Sequence, residues 1–231
     1  MKEKTGSKKQ LILELEKCRK KVSDLEEKIA KCKNNEILLR EIHHRARNNM
    51  QIISSLLRLQ AKKIKDKKLI EILDVCQNRI QSIALIHEKF QKSKDPARIE
   101  LAHYIQDLAV LLYRSHGADP NVIRLNTEME NIQVDIDRAI PFGLIVNEVL
   151  TNSLRHAFPD GKNGEIRIRL RAVNQRKLEF VLIDNGVGFP EDAAFHKTDS
   201  LGLQLVNELA EQIGGDIKLV TEGGTIFKIT F

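Results

Sequence analysis

The sequence predicts an α+β protein in which long N-terminal helices precede a half that combines helices with a β-sheet. Two observations lead to this prediction. Apolar residues recur at helical spacing from Leu11 to Ile86, whereas after Pro96 short strand-like runs alternate with helical ones. The 231 residues, 42% hydrophobic and 30% charged, are enough for a helical extension and a domain with a real core.

The first predicted element is a coiled-coil helix over residues 8–40. Its apolar positions alternate in steps of four and three residues, and Glu36 is the one unfavourable residue in this seam. Such a repeat is typical of a parallel dimer, and the alternative is a single amphipathic helix that packs on its own domain. The seam consists of Leu11, Leu15, Cys18, Val22, Leu25, Ile29, Cys32, Glu36 and Leu39.

A helical hairpin for dimerisation and phosphotransfer is predicted over residues 41–95. The apolar stripe continues past Leu39 at close to 3.6-residue spacing, so the first helix should run without a break to about Lys63. A charged turn then leads into a second amphipathic helix over residues 69–86. Two antiparallel helices cannot bury such broad apolar faces alone, so we expect a four-helix bundle with a second copy of the chain.

Residues 98–231 form the predicted α/β domain, which follows a linker where Pro96 prevents helix continuation. We expect one mixed sheet with helices on one face. Pro141 should lie near the start of its helix, where proline is tolerated. The predicted helices are 99–115, 136–157 and 201–213, and the predicted strands are 122–129, 166–173, 178–184, 216–221 and 225–231.

Charge and cysteine content narrow the classes of function. Residues 1–100 carry 25 basic and 14 acidic residues, but these lie on helical patterns with few aromatics, which favours solvated helix faces over a nucleic-acid site. Cys18, Cys32 and Cys76 lack metal-site spacing and indicate a reducing compartment. No apolar run approaches the roughly 18 residues of a membrane span. We therefore expect a soluble, cytoplasmic chain, from which an upstream sensor domain could have been left out.

Four segments of the C-terminal half carry residues suited to a nucleotide. Glu148 and Asn152 lie four residues apart on one helix, where their oxygens could meet a hard cation such as Mg²⁺. Asp184 ends a strand before two glycines, so its carboxylate could accept a hydrogen bond from an exocyclic amine. Residues 200–203 open a helix whose free N–H groups favour an anion, and residues 223–225 form a tight turn. Any one of these segments alone is most often ordinary surface or turn.

Together and in this order, the four segments resemble the N, G1, G2 and Gly-Gly-Thr boxes of the GHKL (Bergerat) ATP-binding fold of histidine kinases, gyrase, Hsp90 and MutL. The resemblance covers roughly residues 99–231. It implies that Asn152 binds Mg²⁺ with Glu148 as a helper or water-positioning residue. It also implies that Arg155 faces the phosphates and that Asp184 contacts the adenine amine. The other residues that it places at ATP are His156, Gly186, Gly188, Leu201, Gly202, Leu203, Gly224 and Thr225.

A histidine pair on the first hairpin helix distinguishes a kinase from a plain ATPase. Residues 41–51, which contain His43 and His44, resemble the H-box of the His-Arg (HWE-related, HisKA type 2) sensor histidine kinases. Arg47 stands where that motif usually has Lys, and Ser153 stands where the family's N box usually has Ala. The resemblance implies ATP-dependent autophosphorylation of a histidine, followed by phosphoryl transfer to an aspartate of a response regulator on a separate chain.

Helical phase favours His44 over His43 as the phosphoacceptor. At about 100° per residue, His44 falls about 155° from the apolar stripe and faces solvent, whereas His43 falls about 55° from it and should pack. A separate ATP-carrying domain has to reach the acceptor, which requires exposure. Glu41 and Asn48 lie one turn before and one turn after His44. Glu41 could orient the imidazole or take its proton, and Asn48 occupies the place where related kinases position a water.

Two other classes of function compete with this hypothesis. A GHKL-fold ATPase or an anti-sigma-type Ser kinase would bind ATP without phosphorylating a histidine. A basic coiled-coil adaptor would bind nucleic acid and carry a degenerate ATP fold. The acceptor helix argues against the first class, and the intact nucleotide boxes argue against the second.

Overall fold

The computed structural model describes residues 3–93, 98–174, 177–189 and 200–231. The chain divides into two units, Met1–Ile42 and His43–Phe231, and each is described by itself. Helix α1 spans Glu3–Ala61 and confirms the prediction that the first helix runs on to about Lys63. Within the described residues, no helix combines the length and the apolar composition needed to cross a lipid bilayer.

The first unit contains the whole of the predicted coiled-coil seam. Val22 is 53% exposed and Leu39 is 37% exposed, so both are available to a partner helix. Glu36 is exposed as well. The other seam side chains, from Leu11 to Cys32, lie outside the described part of the chain. The coiled coil over residues 8–40 stays a prediction.

Helix α2 spans Lys67–Lys92 and begins at a side-chain cap. The Asp66 carboxylate accepts hydrogen bonds from the backbone N–H groups of Lys68 (2.9 Å) and Leu69 (3.4 Å). Such a cap satisfies donors that a helix start leaves free, and it fixes the residue at which α2 begins. The linker predicted at Pro96 falls in residues 94–97, outside the described residues.

A five-stranded mixed sheet lies in the C-terminal half. Its strands are β2 (Ile123–Met129), β4 (Gly164–Ala172), β5 (Leu178–Asp184), β6 (Asp216–Thr221) and β7 (Thr225–Thr230), in the order β2-β4-β5-β7-β6. Strands β2 and β4 are parallel, and the other neighbours are antiparallel. This confirms the predicted mixed sheet.

A small sheet of two antiparallel strands was not predicted. Strand β1, Arg98–Glu100, pairs with β3, Gln133–Asp135. Three residues are too few to show an alternating pattern, so nothing in the sequence distinguishes these strands from loop. As a result, helix α3 starts at Leu101 and spans Leu101–Ser115, two residues shorter than predicted.

The large sheet buries one face beneath helices, as predicted. In β4, Ile166, Ile168 and Leu170 are buried, while Arg167 and Arg169 between them are exposed. The helices that share this core are α3, α4 (Ile136–Asn152) and α5 (Leu201–Gln212).

Helix α4 differs from its prediction in two details. It passes into a π-helical turn over Ser153–Ala157, so the predicted 136–157 segment is helical but widens at its end. Pro141 is the sixth residue of α4, inside the helix rather than in its first turn. The proline removes the hydrogen bond that its N–H would make to the carbonyl of Asp137.

Helix α2 belongs to the same core as the C-terminal half. Ile86 and Phe90 are fully buried together with Leu101 and Tyr104 of α3. The Tyr104 hydroxyl donates a hydrogen bond to the Ser82 carbonyl at 3.3 Å. The second hairpin helix therefore packs directly on the domain that carries the nucleotide motifs.

Candidate nucleotide site and phosphoacceptor

A cavity of about 400 Å³ lies among the end of α4, the loop after β5, the start of α5 and the inner face of β6 and β7. Its volume falls in the range of small-ligand sites, and most of its lining is apolar. The residues from the nucleotide motifs that line it are Asn152, Ser153, His156, Asp184, Gly188, Ser200, Leu203 and Thr225.

Apolar walls complete the cavity, and sequence reasoning missed them. Phe189 follows the Gly188 turn, and Leu219 and Phe227 come from β6 and β7. In the sequence these three residues look like ordinary core positions. The remaining apolar lining is Val149, Ala157 and Val187. A flat heterocycle fits walls of this kind. Residues 190–199, which follow Phe189, lie outside the described part of the chain.

Asp184 is the most constrained polar group of the cavity. It is 2% exposed, and its Oδ1 accepts hydrogen bonds from the backbone N–H groups of Gly186 and Thr225, both at 3.1 Å. Its Oδ2 accepts a hydrogen bond from Ser153 Oγ at 2.7 Å. An ionised carboxylate offers about four acceptor positions, so one remains for a donor in the cavity.

Two glycines allow this close arrangement. Gly224 has φ +136°, and a Cβ there would lie 2.0 Å from the Asp184 carbonyl oxygen. A Cβ on Gly186 would lie 2.3 Å from the Ala157 carbonyl oxygen. Both contacts exclude a side chain, so the predicted glycine motifs are required for packing around Asp184.

The two residues predicted to bind Mg²⁺, Glu148 and Asn152, lie in different environments. Asn152 lines the cavity, whereas Glu148 is 5% exposed and is not among the described residues that line it. Its Oε1 and Oε2 accept hydrogen bonds from Nε and Nη2 of Arg79 in α2, each at 2.8 Å. These bonds to Glu148 raise the pKa of the Arg79 guanidinium. Sequence reasoning missed Arg79, since one arginine on an amphipathic helix is unremarkable.

Five other predicted residues are not among the described residues that line the cavity, namely Arg155, Gly186, Leu201, Gly202 and Gly224. Arg155 is exposed and lies near His116. Burial lowers the pKa of His116, and the positive charge of Arg155 lowers it further. Leu201 is 70% exposed at the first turn of α5, and Gly202 follows it. The phosphate contacts expected of Arg155, Leu201 and Gly202 stay predictions.

The structure confirms the helical phase of the histidine pair. His43 is 6% exposed, and its ring stacks on Phe90 with the centroids 5.0 Å apart. Its Nδ1 lies 3.0 Å from Nδ1 of His87. His44 is exposed, and Nδ2 of Asn48 lies 3.4 Å from its Nδ1. The exposed histidine and its i+4 neighbour are therefore adjacent, as predicted.

Comparison with known proteins gives two family matches. Residues 41–116 match the family model described as histidine kinase. Residues 121–231 match the model described as histidine kinase-, DNA gyrase B-, and HSP90-like ATPase. The boundary between the two matches follows α3, so the first match includes the hairpin and the second includes the cavity.

Individual relatives agree with these matches. The chain is 35% identical over 172 residues to sensor histidine kinase PdtaS of Mycobacterium tuberculosis, which covers 74% of this chain and 34% of that protein. It is 29% identical to blue-light-activated histidine kinase 2 of Erythrobacter litoralis, which covers 81% of this chain and 54% of that protein. The chain thus spans about a third to a half of these curated relatives.

A solved structure is similar over most of the chain. The histidine kinase domain of the blue-light activated histidine kinase EL346 of Erythrobacter litoralis superposes with a TM-score of 0.64 at 25% identity. The superposition covers 78% of this chain and 95% of that domain.

Proposed function

Since this chain belongs to the histidine kinases, we propose that it is the catalytic core of a sensor histidine kinase, which binds ATP beside Asp184 and phosphorylates His44. The observation that carries the proposal is that one chain holds both parts of the reaction. An exposed histidine lies in the segment that matches the histidine kinase family, and a nucleotide-sized cavity lies in the segment that matches the ATPase family.

The cavity suits ATP at both of its ends. The free acceptor position of Asp184 would receive the exocyclic amine of adenine, and Phe189 would supply an apolar wall for the ring. The first turn of α5 presents backbone N–H groups and the positive end of the helix dipole to the phosphates. Leu203 lines the cavity from this turn.

Magnesium fits the cavity as a metal shared with the nucleotide. Among the described residues, no group of three or more His, Cys, Asp or Glu could hold a metal. Mg²⁺ commonly keeps several waters and binds through one or two protein oxygens plus substrate phosphates. The Asn152 amide oxygen would be one such ligand, and Glu148 would be its helper. When bound, the metal neutralises charge that develops on the phosphates.

The acceptor chemistry belongs to His44. An imidazole nitrogen attacks the γ-phosphorus, so an N–P bond forms while the P–O bond to ADP breaks. Attack through Nε2 requires the proton on Nδ1. The Asn48 amide oxygen can accept that Nδ1 proton when the amide is turned, and Glu41 is one turn away to orient the ring. Arg155 would offset charge on the transferred group.

The phosphoryl group would then pass to an aspartate of a response regulator, and the active form would be a homodimer. The histidine kinase family suggests both partners. The alternative, a GHKL-fold ATPase or anti-sigma-type Ser kinase, is less supported, because the match over residues 41–116 contains the acceptor helix.

Labelling with γ-labelled ATP tests the proposal. We expect label on the protein that acid removes and alkali leaves in place, which is the behaviour of phosphohistidine. Alkali-labile, acid-stable label would indicate a serine kinase, and ATP hydrolysis without any label would indicate a plain ATPase. Either result would overturn the proposed function.

A further inference from the structure

Arg79 of the hairpin helix α2 forms an ion pair with Glu148 of the nucleotide domain, the residue proposed to help bind Mg²⁺. Its guanidinium and the Glu148 carboxylate form a bidentate pair with both N–O distances at 2.8 Å. The two side chains are only 19% and 7% exposed. Solvent and salt screen such a poorly exposed ion pair only weakly. Removing either partner would leave the other charge poorly hydrated and without a counter-charge.

Neighbouring contacts fix α2 against α4 at this point. The Asn147 side-chain amide donates hydrogen bonds to the Asn78 carbonyl at 3.1 Å and to Ser82 Oγ at 2.5 Å. Asn78 and Ser82 flank Arg79 on α2, and Asn147 precedes Glu148 on α4. These bonds set the register in which the guanidinium meets the carboxylate.

The Oε2 atom of Glu148 lies beside the first turn of α5, where the phosphates are proposed to bind. A Cβ on Gly202, the second residue of α5, would lie 2.7 Å from Glu148 Oε2. Asn152 follows Glu148 by one helical turn and lines the cavity. The carboxylate therefore lies between a fixed cation on the hairpin and the place where the nucleotide's metal is proposed to bind.

We propose that Arg79 is a positioning residue for the magnesium side of the site, where it competes with Mg²⁺ for the two oxygens of Glu148. This inference rests on the proposed function. In the arrangement seen here, both oxygens are engaged by the guanidinium. Mg²⁺ gains Glu148 as a helper only when the Arg79 contact opens.

This competition couples metal binding beside α4 to the contact between α2 and α4. If the Arg79 contact weakens metal binding, then metal-nucleotide binding weakens the Arg79 contact by the same factor, since coupling between two sites is reciprocal. The nucleotide without metal has no part in this coupling. Mg²⁺ thus favours release of α2 from α4 at the Arg79 contact.

The test is the Mg²⁺ requirement of nucleotide binding, measured by calorimetry with a non-hydrolysable ATP analogue on the full chain. We expect Arg79→Gln to reach half-maximal binding at about 5- to 10-fold lower Mg²⁺, a shift within the usual size of coupling between sites. Its affinity in EDTA should equal that of the wild type. Arg79→Lys should fall between the two, because it keeps the charge but loses the bidentate fork.

Lys89→Gln is the matched control. Lys89 of α2 forms an ion pair with Asp107 of α3, so this variant also removes a contact between the hairpin and the nucleotide domain, away from Glu148. We expect a wild-type Mg²⁺ requirement. Equal shifts in both variants would show a general loosening of the domain and would overturn the inference.

Hydrogen exchange supplies a readout other than binding. In the wild type, the Mg²⁺ complex of the analogue should speed amide exchange in α2 around Arg79, and the metal-free analogue should not. An unchanged Mg²⁺ requirement in Arg79→Gln, or in Arg79→Lys if the first variant does not fold, would overturn the inference. A wild type that binds no nucleotide with or without Mg²⁺ would instead overturn the proposed function.

Discussion

Adjacent residues with the same chemistry have opposite environments in the acceptor motif. His43 contacts His87 and Phe90, whereas His44 faces solvent beside Asn48. A rotation of about 100° per residue is enough to move an imidazole from the core to the surface. Exposure therefore distinguishes the two histidines where residue type cannot.

The first prediction concerns this pair. His44→Gln should abolish autophosphorylation while changing the free energy of unfolding by less than about 0.5 kcal/mol, since exposed substitutions usually cost little. His43→Gln should lower stability, because it breaks the contacts to His87 and Phe90, and should reduce labelling only in part. Denaturant unfolding and phosphopeptide mapping check both expectations. Label found on His43, or full labelling of His44→Gln, would contradict the assignment.

The second prediction concerns Asp184. Asp184→Asn should weaken ATP binding by about 1–3 kcal/mol, the usual cost of leaving a polar group without its partner. Titration calorimetry measures the affinity. Asn152→Ala is the comparison: it should keep much of the nucleotide affinity and lose phosphoryl transfer. Wild-type affinity in Asp184→Asn would show that adenine binds elsewhere.

Polar pairs connect helices α1 and α2 next to His44. His43 lies 3.0 Å from His87 between their Nδ1 atoms, and Arg47 pairs with Glu88 at 3.0 Å. The Nδ1–Nδ1 contact is a hydrogen bond only while one of the two nitrogens carries a proton and the other carries none. The hairpin near His44 is therefore sensitive to protonation.

The third prediction follows from this pair. Burial lowers the pKa of His87, and the neighbouring His43 lowers it further. The unfolded chain then binds more protons than the folded one below the ordinary histidine pKa of about 6.5. Stability should be fully present above that pH and should fall as the pH drops toward the lowered pKa of the folded state.

Denaturant unfolding between neutral pH and about pH 5 measures this effect. His87→Gln should show a shallower pH dependence than the wild type over the same window. The half-buried His116, whose pKa is also lowered, should account for part of the slope that remains. An identical pH dependence in wild type and variant would contradict a role for His87.

The sequence predicted the elements well because their patterns are local. The alternation in β4 and the helical stripes of α1 and α2 each depend on neighbours in the chain. The contact of Arg79 with Glu148 could not be predicted, because the partners are 69 residues apart and meet only through packing of α2 on α4. Ser153 was predictable in part. The sequence placed it in the N box, but its hydrogen bond to Asp184 depends on how α4 packs against the sheet, which the sequence does not show.

At the scale of the whole molecule, an unpaired apolar surface remains on the hairpin. Its exposed residues in the second unit are Ile52, Ile53, Leu56, Leu59, Leu69 and Ile72, between 42% and 59% exposed. Large apolar side chains grouped in this way are typical of an interaction face. A second copy of the hairpin would cover them and complete the four-helix bundle.

The fourth prediction tests this assembly. The chain should be a dimer by light scattering at micromolar concentration. In a parallel coiled coil the two Cys18 residues face each other across the seam, so mild oxidation should produce a dimer linked through Cys18. Cys18→Ser should keep the dimer and lose the link. A monomer without any such link would contradict both the coiled coil and the bundle.

Ile86 and Phe90 have a practical consequence for anyone who dissects the protein. Because they are fully buried against Leu101 and Tyr104, a fragment cut at residue 98 would expose to water the side of α3 that they cover. Such a fragment would carry a newly exposed apolar patch, so it would aggregate or would unfold at a lower temperature than a fragment that keeps α2. The natural place to divide this protein is therefore the turn before Lys67, so that an excised or transplanted nucleotide domain takes α2 with it.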